Sequence, residues 1–133
     1  MSDLQSLFDR VASHLLLQGE RSVQESSGGC MYRNGAGLSC AVGVLITDEA
    51  YAPAMEWRSL DDEPVLDALR QSGVADSAEV LSLLNELQEV HDITPIPRWE
   101  SQLAYLAEVH NLRFERDALM TLRTTESQDR SDG

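Results

Sequence analysis

The sequence predicts an α+β fold dominated by helix, with four to five helices packed around one short β-hairpin. Three observations lead there. Apolar residues recur at helical spacing in both halves of the chain. Between those halves lies a glycine-rich stretch with turn-type residues and no helical pattern. The length of 133 residues and the hydrophobic fraction of 42% suit one domain with a core, without enough chain for two.

The first element is an amphipathic helix over residues 3–18. Ser2 and Gln5 form a capping-box pair, and Leu4, Leu7, Phe8, Val11 and Leu15 make one apolar stripe. Gly19 is the expected stop, and His14 lies at the edge of the stripe. Ser26-Ser27-Gly28-Gly29 then reads as a loop. Residues 30–33 and 38–42 read as two short strands joined by the Asn34-Gly35-Ala36-Gly37 turn. Two strands alone are marginal, so the hairpin is expected to lie on helices. Thr47-Asp48-Glu49 looks like a helix start, which Pro53 limits to about one turn.

Helix resumes over residues 62–72, with Pro64 in its first turn and Gly73 after its last. Asp76 and Glu79 form a second capping-box pair, opening a helix through His91 with Val80, Leu81, Leu84, Leu87 and Val90 along one face. Thr94-Pro95-Ile96-Pro97 forces a break. A further helix runs from about Arg98 to His110 with Trp99, Leu103, Leu106 and Ala107 inward, and a last one covers residues 114–122. Residues 1–123 are thus expected to form a single globular domain, with 124–133 a polar, disordered tail.

Charge narrows the partners. The formal net charge is -13, from 23 acidic and 10 basic residues, and all the basic ones are arginines spread from Arg10 to Arg130. Such a surface repels free nucleic acid and favours a basic protein partner, or simply confers solubility. No apolar run approaches the roughly 20 residues that span a bilayer, so no membrane association is expected. The opening Met1-Ser2-Asp3 has no signal-peptide character, and the expected location is the cytoplasm. Two cysteines, Cys30 and Cys40, are too few for a disulfide framework and are expected as free thiols.

Candidate sites are few. Cys30 and Cys40 bracket the hairpin with nine residues between them and, with His91, form an alternative metal set that lacks the usual paired spacing. A Cys-His pair with Asp92 is formally a nucleophile arrangement, although a helix-end His and a capping Asp explain those residues as well. No nucleophile elbow, phosphate loop or zinc-protease helix is present, and no cofactor is expected. The stretch from Tyr51 to Arg58 holds large side chains of the type enriched at binding hot spots, followed by the acidic Asp61, Asp62 and Glu63. Tyr51, Met55, Glu56, Trp57, Asp61, Asp62 and Glu63 are therefore the candidate partner-binding residues.

The residues Cys30-Met31-Tyr32-Arg33, then Gly37 to Ile46, then Asp48-Glu49, Tyr51, Pro53 and Met55-Glu56 form a pattern that resembles uncharacterised small proteins of tailed phages and prophages. Gln18 to Ser22, His91-Asp92 and Trp99 extend the resemblance over roughly residues 15–110. Trp57 departs from it, standing where a small residue is expected. The resemblance implies a phage or mobile-element setting in a bacterial cytoplasm and no particular chemistry. Together with size and acidity it points to a non-catalytic accessory factor that binds and modulates a host protein, such as a nucleic-acid-binding defence component. The competing class is a metal- or small-molecule-binding protein or minor enzyme built around Cys30 and Cys40. A homo-oligomer whose helical stripes bury one another is the third.

Overall fold

The computed structural model describes residues 4–24 and 29–120. Four helices carry the architecture: α1 (Leu4–Gln18), α2 (Glu63–Gln71), α3 (Ala78–Ile93) and α4 (Trp99–Val109). Residues 116–120 are also helical. Helices α1, α3 and α4 pack on one another, while the 3-10 turn Gly43–Leu45 rests on α1 and the 3-10 turn Pro53–Met55 on α2.

The apolar stripes do what their spacing requires. Leu7, Phe8, Val11 and Leu15 of α1 meet Leu83, Leu84, Leu87 and Val90 of α3 and Trp99, Leu103 and Leu106 of α4 in a single core. Helix α1 ends at Gly19, whose φ of +66° suits glycine and whose N–H returns to the Leu15 carbonyl at 2.9 Å. Helix α2 ends in a Schellman turn, with Val74 N–H bonding Leu69 O at 2.9 Å and Gly73 N–H bonding Arg70 O at 3.0 Å. Asn111, at φ +58°, repeats that turn after α4, with Leu112 N–H on Ala107 O at 2.7 Å.

The cap of α3 falls one residue later than the sequence predicts. Ser77 is the N-cap and takes Val80 N–H at 3.3 Å, whereas Asp76 is drawn to Arg70 Nε at 2.9 Å. Ser2, the expected cap of α1, lies outside the described residues; so do Ser26, Ser27 and Gly28, and the tail 124–133.

The predicted hairpin does not form, and the α+β class is corrected to a mostly helical fold. Among the described residues there is no strand, only the isolated antiparallel bridges Val23–Cys30 and Arg33–Ser39. The turn itself is present: Asn34 Oδ1 takes Ala36 N–H at 3.0 Å and Leu38 N–H at 2.9 Å, and Gly37 sits at φ +85°. What is missing is a ladder beyond two cross-chain bonds, Asn34 N–H to Leu38 O at 3.1 Å and Cys40 N–H to Tyr32 O at 3.2 Å, because side chains claim the main-chain groups that would extend it. Glu56 takes the N–H of Tyr32 and Gln88 that of Val42, which would have pointed across the pair, while the outward N–H groups of Arg33 and Ser39 go to Glu56 and Gln18. Buried backbone groups need partners, and here α1, α3 and the residue after the Pro53–Met55 turn supply them. The chain then turns into the 3-10 segment at Gly43, where a Cβ would come within 2.0 Å of the Tyr32 carbonyl oxygen.

Candidate functional site

The residues singled out in the sequence fall into three places. The first is a clamp on Glu56. Its carboxylate is buried, accepts Tyr32 N–H at 2.8 Å and Arg33 N–H at 3.1 Å, and takes the Tyr51 hydroxyl at 2.7 Å. Arg33 stacks over the Tyr51 ring at 4.7 Å from its centre and bridges to Asp48 at 2.8 Å. Burial, then the hydrogen bond to Glu56, pushes the Tyr51 hydroxyl up to about 12. Met55 is buried beneath the clamp. The Tyr-Arg and Tyr-x-Pro-x-Met-Glu parts of the pattern thus join one another to hold the segment from Cys30 to Glu56 in shape.

The second place is the cluster of Cys30, His91 and Asp92, whose ligand-type atoms lie within 4.8 Å of one another. Cys40 is not part of it. That thiol is fully buried, with Gly43 N–H on its sulfur at 3.3 Å, and burial pushes it up to about 12. His91 is buried against Trp99, with ring centres 5.9 Å apart. Its Nε2 accepts the Ser22 backbone N–H at 2.9 Å, which fixes the proton on Nδ1, and Nδ1–H donates to Asp92 Oδ1 at 2.7 Å. Neither ring nitrogen keeps a lone pair for a metal or a substrate proton. Burial, and after it the Asp92 charge, pushes the Cys30 thiol up to about 11, the reverse of an activated nucleophile. Gln88 Nε2 also donates to Asp92, at 3.0 Å. Arg21 closes the end of α3 by donating to the carbonyls of His91, at 2.8 Å, and Thr94. The cluster ties the chain at Arg21-Ser22 to the end of α3.

The third place is open surface on both sides of α3. On one side a cleft of about 270 Å³ is lined by Cys30, Trp57, Arg58, Gln88, Glu89 and Asp92. Trp57 is 59% exposed and sits at φ +68°, a backbone conformation that a small residue such as glycine adopts more readily. On the other side a groove of about 410 Å³ runs between α3 and α4, with Ile93, Tyr105 and Val109 at its mouth, 73%, 58% and 52% exposed. Glu89 borders both. A further, more polar cleft of about 740 Å³ lies beside α1, with Arg10, His14 and Arg33 in its wall. His14 Nε2–H there donates to Ser39 O at 2.9 Å, and Arg33 is held by Asp48 and by Ile46 O at 2.6 Å.

Of the seven residues expected to bind a partner, Met55 and Glu56 are buried and Tyr51 is half-buried in the clamp. Asp62 is half-buried, accepting Ser59 N–H at 3.1 Å, and Glu63 is exposed but lies 3.5 Å from Arg70. Trp57 and Asp61 are exposed. Sequence reasoning missed the groove. Its signal was present, since Tyr105 and Val109 are apolar residues that fall off the buried Trp99, Leu103, Leu106 and Ala107 face of α4. No helix among the described residues is long and apolar enough to cross a membrane. No family model matches the chain, nor does any curated protein or solved structure.

Proposed function

We propose that the chain is a non-catalytic interaction protein, a phage-type accessory factor of the bacterial cytoplasm that binds and modulates a host protein with a basic surface. One observation carries the reading. Four of the six exposed large hydrophobic side chains described, Trp57, Ile93, Tyr105 and Val109, border the two openings that flank Glu89 on α3. Exposed apolar residues scattered singly need no explanation, whereas Ile93, Tyr105 and Val109 share one groove, and Tyr and Trp are residue types enriched at binding hot spots. Trp57 adds weight because it is kept at a backbone angle that disfavours it. The surplus of 23 acidic over 10 basic residues supports a basic partner, and a protein with a nucleic-acid groove offers such a surface.

The test is a tagged pull-down from bacterial lysate at low and high salt, with Asp61→Lys and Glu63→Lys variants alongside. Asp62 is left intact because it accepts the Ser59 N–H. A single stoichiometric partner that is lost as salt rises, and weakened by the charge reversals, is the expected result. No partner at either salt contradicts the proposal.

A further inference from the structure

The groove between α3 and α4 has the form of a seat for a third helix. The two helices run antiparallel: His110 Nε2 meets Glu86 Oε2 at 3.1 Å at one end, and Trp99 Nε1–H reaches Thr94 O at 2.9 Å at the other. One wall is Glu86, Glu89, Val90 and Ile93; the other is Gln102, Tyr105, Leu106 and Val109. Each set repeats at i, i+3, i+4 and i+7, a straight row on one helix face. Each row is two turns, about 10.5 Å from first to last residue at 1.5 Å per residue. From this geometry we infer that the groove docks one basic amphipathic helix of the partner protein. The inference rests on the binding reading above and adds the element that binds.

Charge selects that occupant. Ile93, Tyr105 and Val109 offer apolar contact, while Glu89 and Glu86, which also meets His110, make the charged lining acidic. Arg21, near the Thr94 end, has its donors on the carbonyls of His91 and Thr94. A second copy is the poorer fit, because it would bring the same acidic residues Glu86 and Glu89 into the interface with no basic residue of the groove lining to meet them. An amphipathic helix with Lys or Arg flanking a row of Leu or Ile meets both features at once.

The test uses a fluorescein-labelled peptide of about 16 residues, four helical turns, with leucines at i, i+3, i+4 and i+7 and lysines between them. Its scramble of equal charge is the control. Fluorescence anisotropy reads binding to wild type and to Tyr105→Glu, with Tyr105→Ser as a milder change and circular dichroism to confirm folding. The expected result is that the scramble binds at least about tenfold more weakly than the amphipathic peptide, and that Tyr105→Glu loses at least about tenfold in affinity. Equal binding of peptide and scramble, or binding unaffected by both Tyr105 variants, overturns the groove as a helix seat. A wild-type dimer in sedimentation that Tyr105→Glu dissolves also overturns it, since the occupant is then a second copy. Capture of the same host protein by wild type and Tyr105→Glu alike overturns the groove and leaves the binding reading standing. Absence of any captured protein counts against the binding reading, and the peptide result still decides the groove.

Discussion

Between Cys30 and Glu56 the polar groups that are buried are matched. Glu56 holds two backbone N–H groups and the Tyr51 hydroxyl, Gln18 and Gln88 hold two more N–H groups, and Asp92 holds His91. No buried side-chain nitrogen or oxygen among the described residues lacks a hydrogen-bond partner. Between α3 and α4 the situation is reversed: Ile93, Tyr105 and Val109 are apolar and face solvent. The difference teaches how to weigh the two regions. The residues with the most chemistry are occupied by the fold, and the residues with the least are the ones left facing solvent. A Cys-His-Asp cluster looks like a site until its hydrogen bonds are traced, and a Tyr-Val pair looks like core until its exposure is measured.

The comparison breaks first at Gly43. Gly43→Ala puts a methyl group against the Tyr32 carbonyl, so the main chain must move, and a loss of more than about 3 kcal/mol is expected in urea unfolding. Glu56→Ala removes the clamp and leaves the Tyr32 N–H buried without its acceptor. Its expected cost is about 2 kcal/mol in the same assay. A cost near zero for either change would mean that the segment is not held as described.

The alkaline side sharpens the same region. Cys30 and Cys40 are pushed up to about 11 and about 12 from an ordinary 9.0. Between those values the unfolded thiols release protons that the folded ones keep, so stability falls as pH rises above about 9. Below that the thiols are neutral in both states and contribute no slope. Cys40→Ala should flatten the decline in a denaturation series from pH 8 to 10.5, and both thiols of the native protein should alkylate slowly at neutral pH. The smallest effects belong to the open surface. Trp57→Gly relieves the +68° backbone angle, and a gain of about 0.5 kcal/mol is expected together with weaker partner capture. Tyr105→Ser should shift stability by less than about 0.5 kcal/mol.

Much of the helical frame was legible in the sequence. The stripes of α1, α3 and α4 and the stops at Gly19 and Gly73 depend on local spacing and local backbone geometry, which a sequence displays directly. The hairpin was not, because its failure depends on distant residues: Glu56 and Gln88 take the Tyr32 and Val42 N–H groups that a longer ladder would have used. The same limit hid the pairing of Ser22 with His91, 69 positions apart. Nor did the sequence show that Trp57 sits at a φ of +68°, since nothing in its local spacing marks a left-handed position. The surface of α4 was readable in part, since Tyr105 and Val109 lie off the buried face, but only the packed structure shows that they join Ile93 across a groove.

The most direct measurement is a two-dimensional amide NMR titration of the isotope-labelled protein with the basic amphipathic peptide. Shifts concentrated at residues 86–93 and 102–109, with residues 30–56 unmoved, are the predicted result. Shifts confined to the Cys30–Trp57 cleft or to the arginine-lined cleft beside α1, with the α3–α4 groove silent, would contradict the assignment of the α3–α4 groove as the face that takes a basic helix.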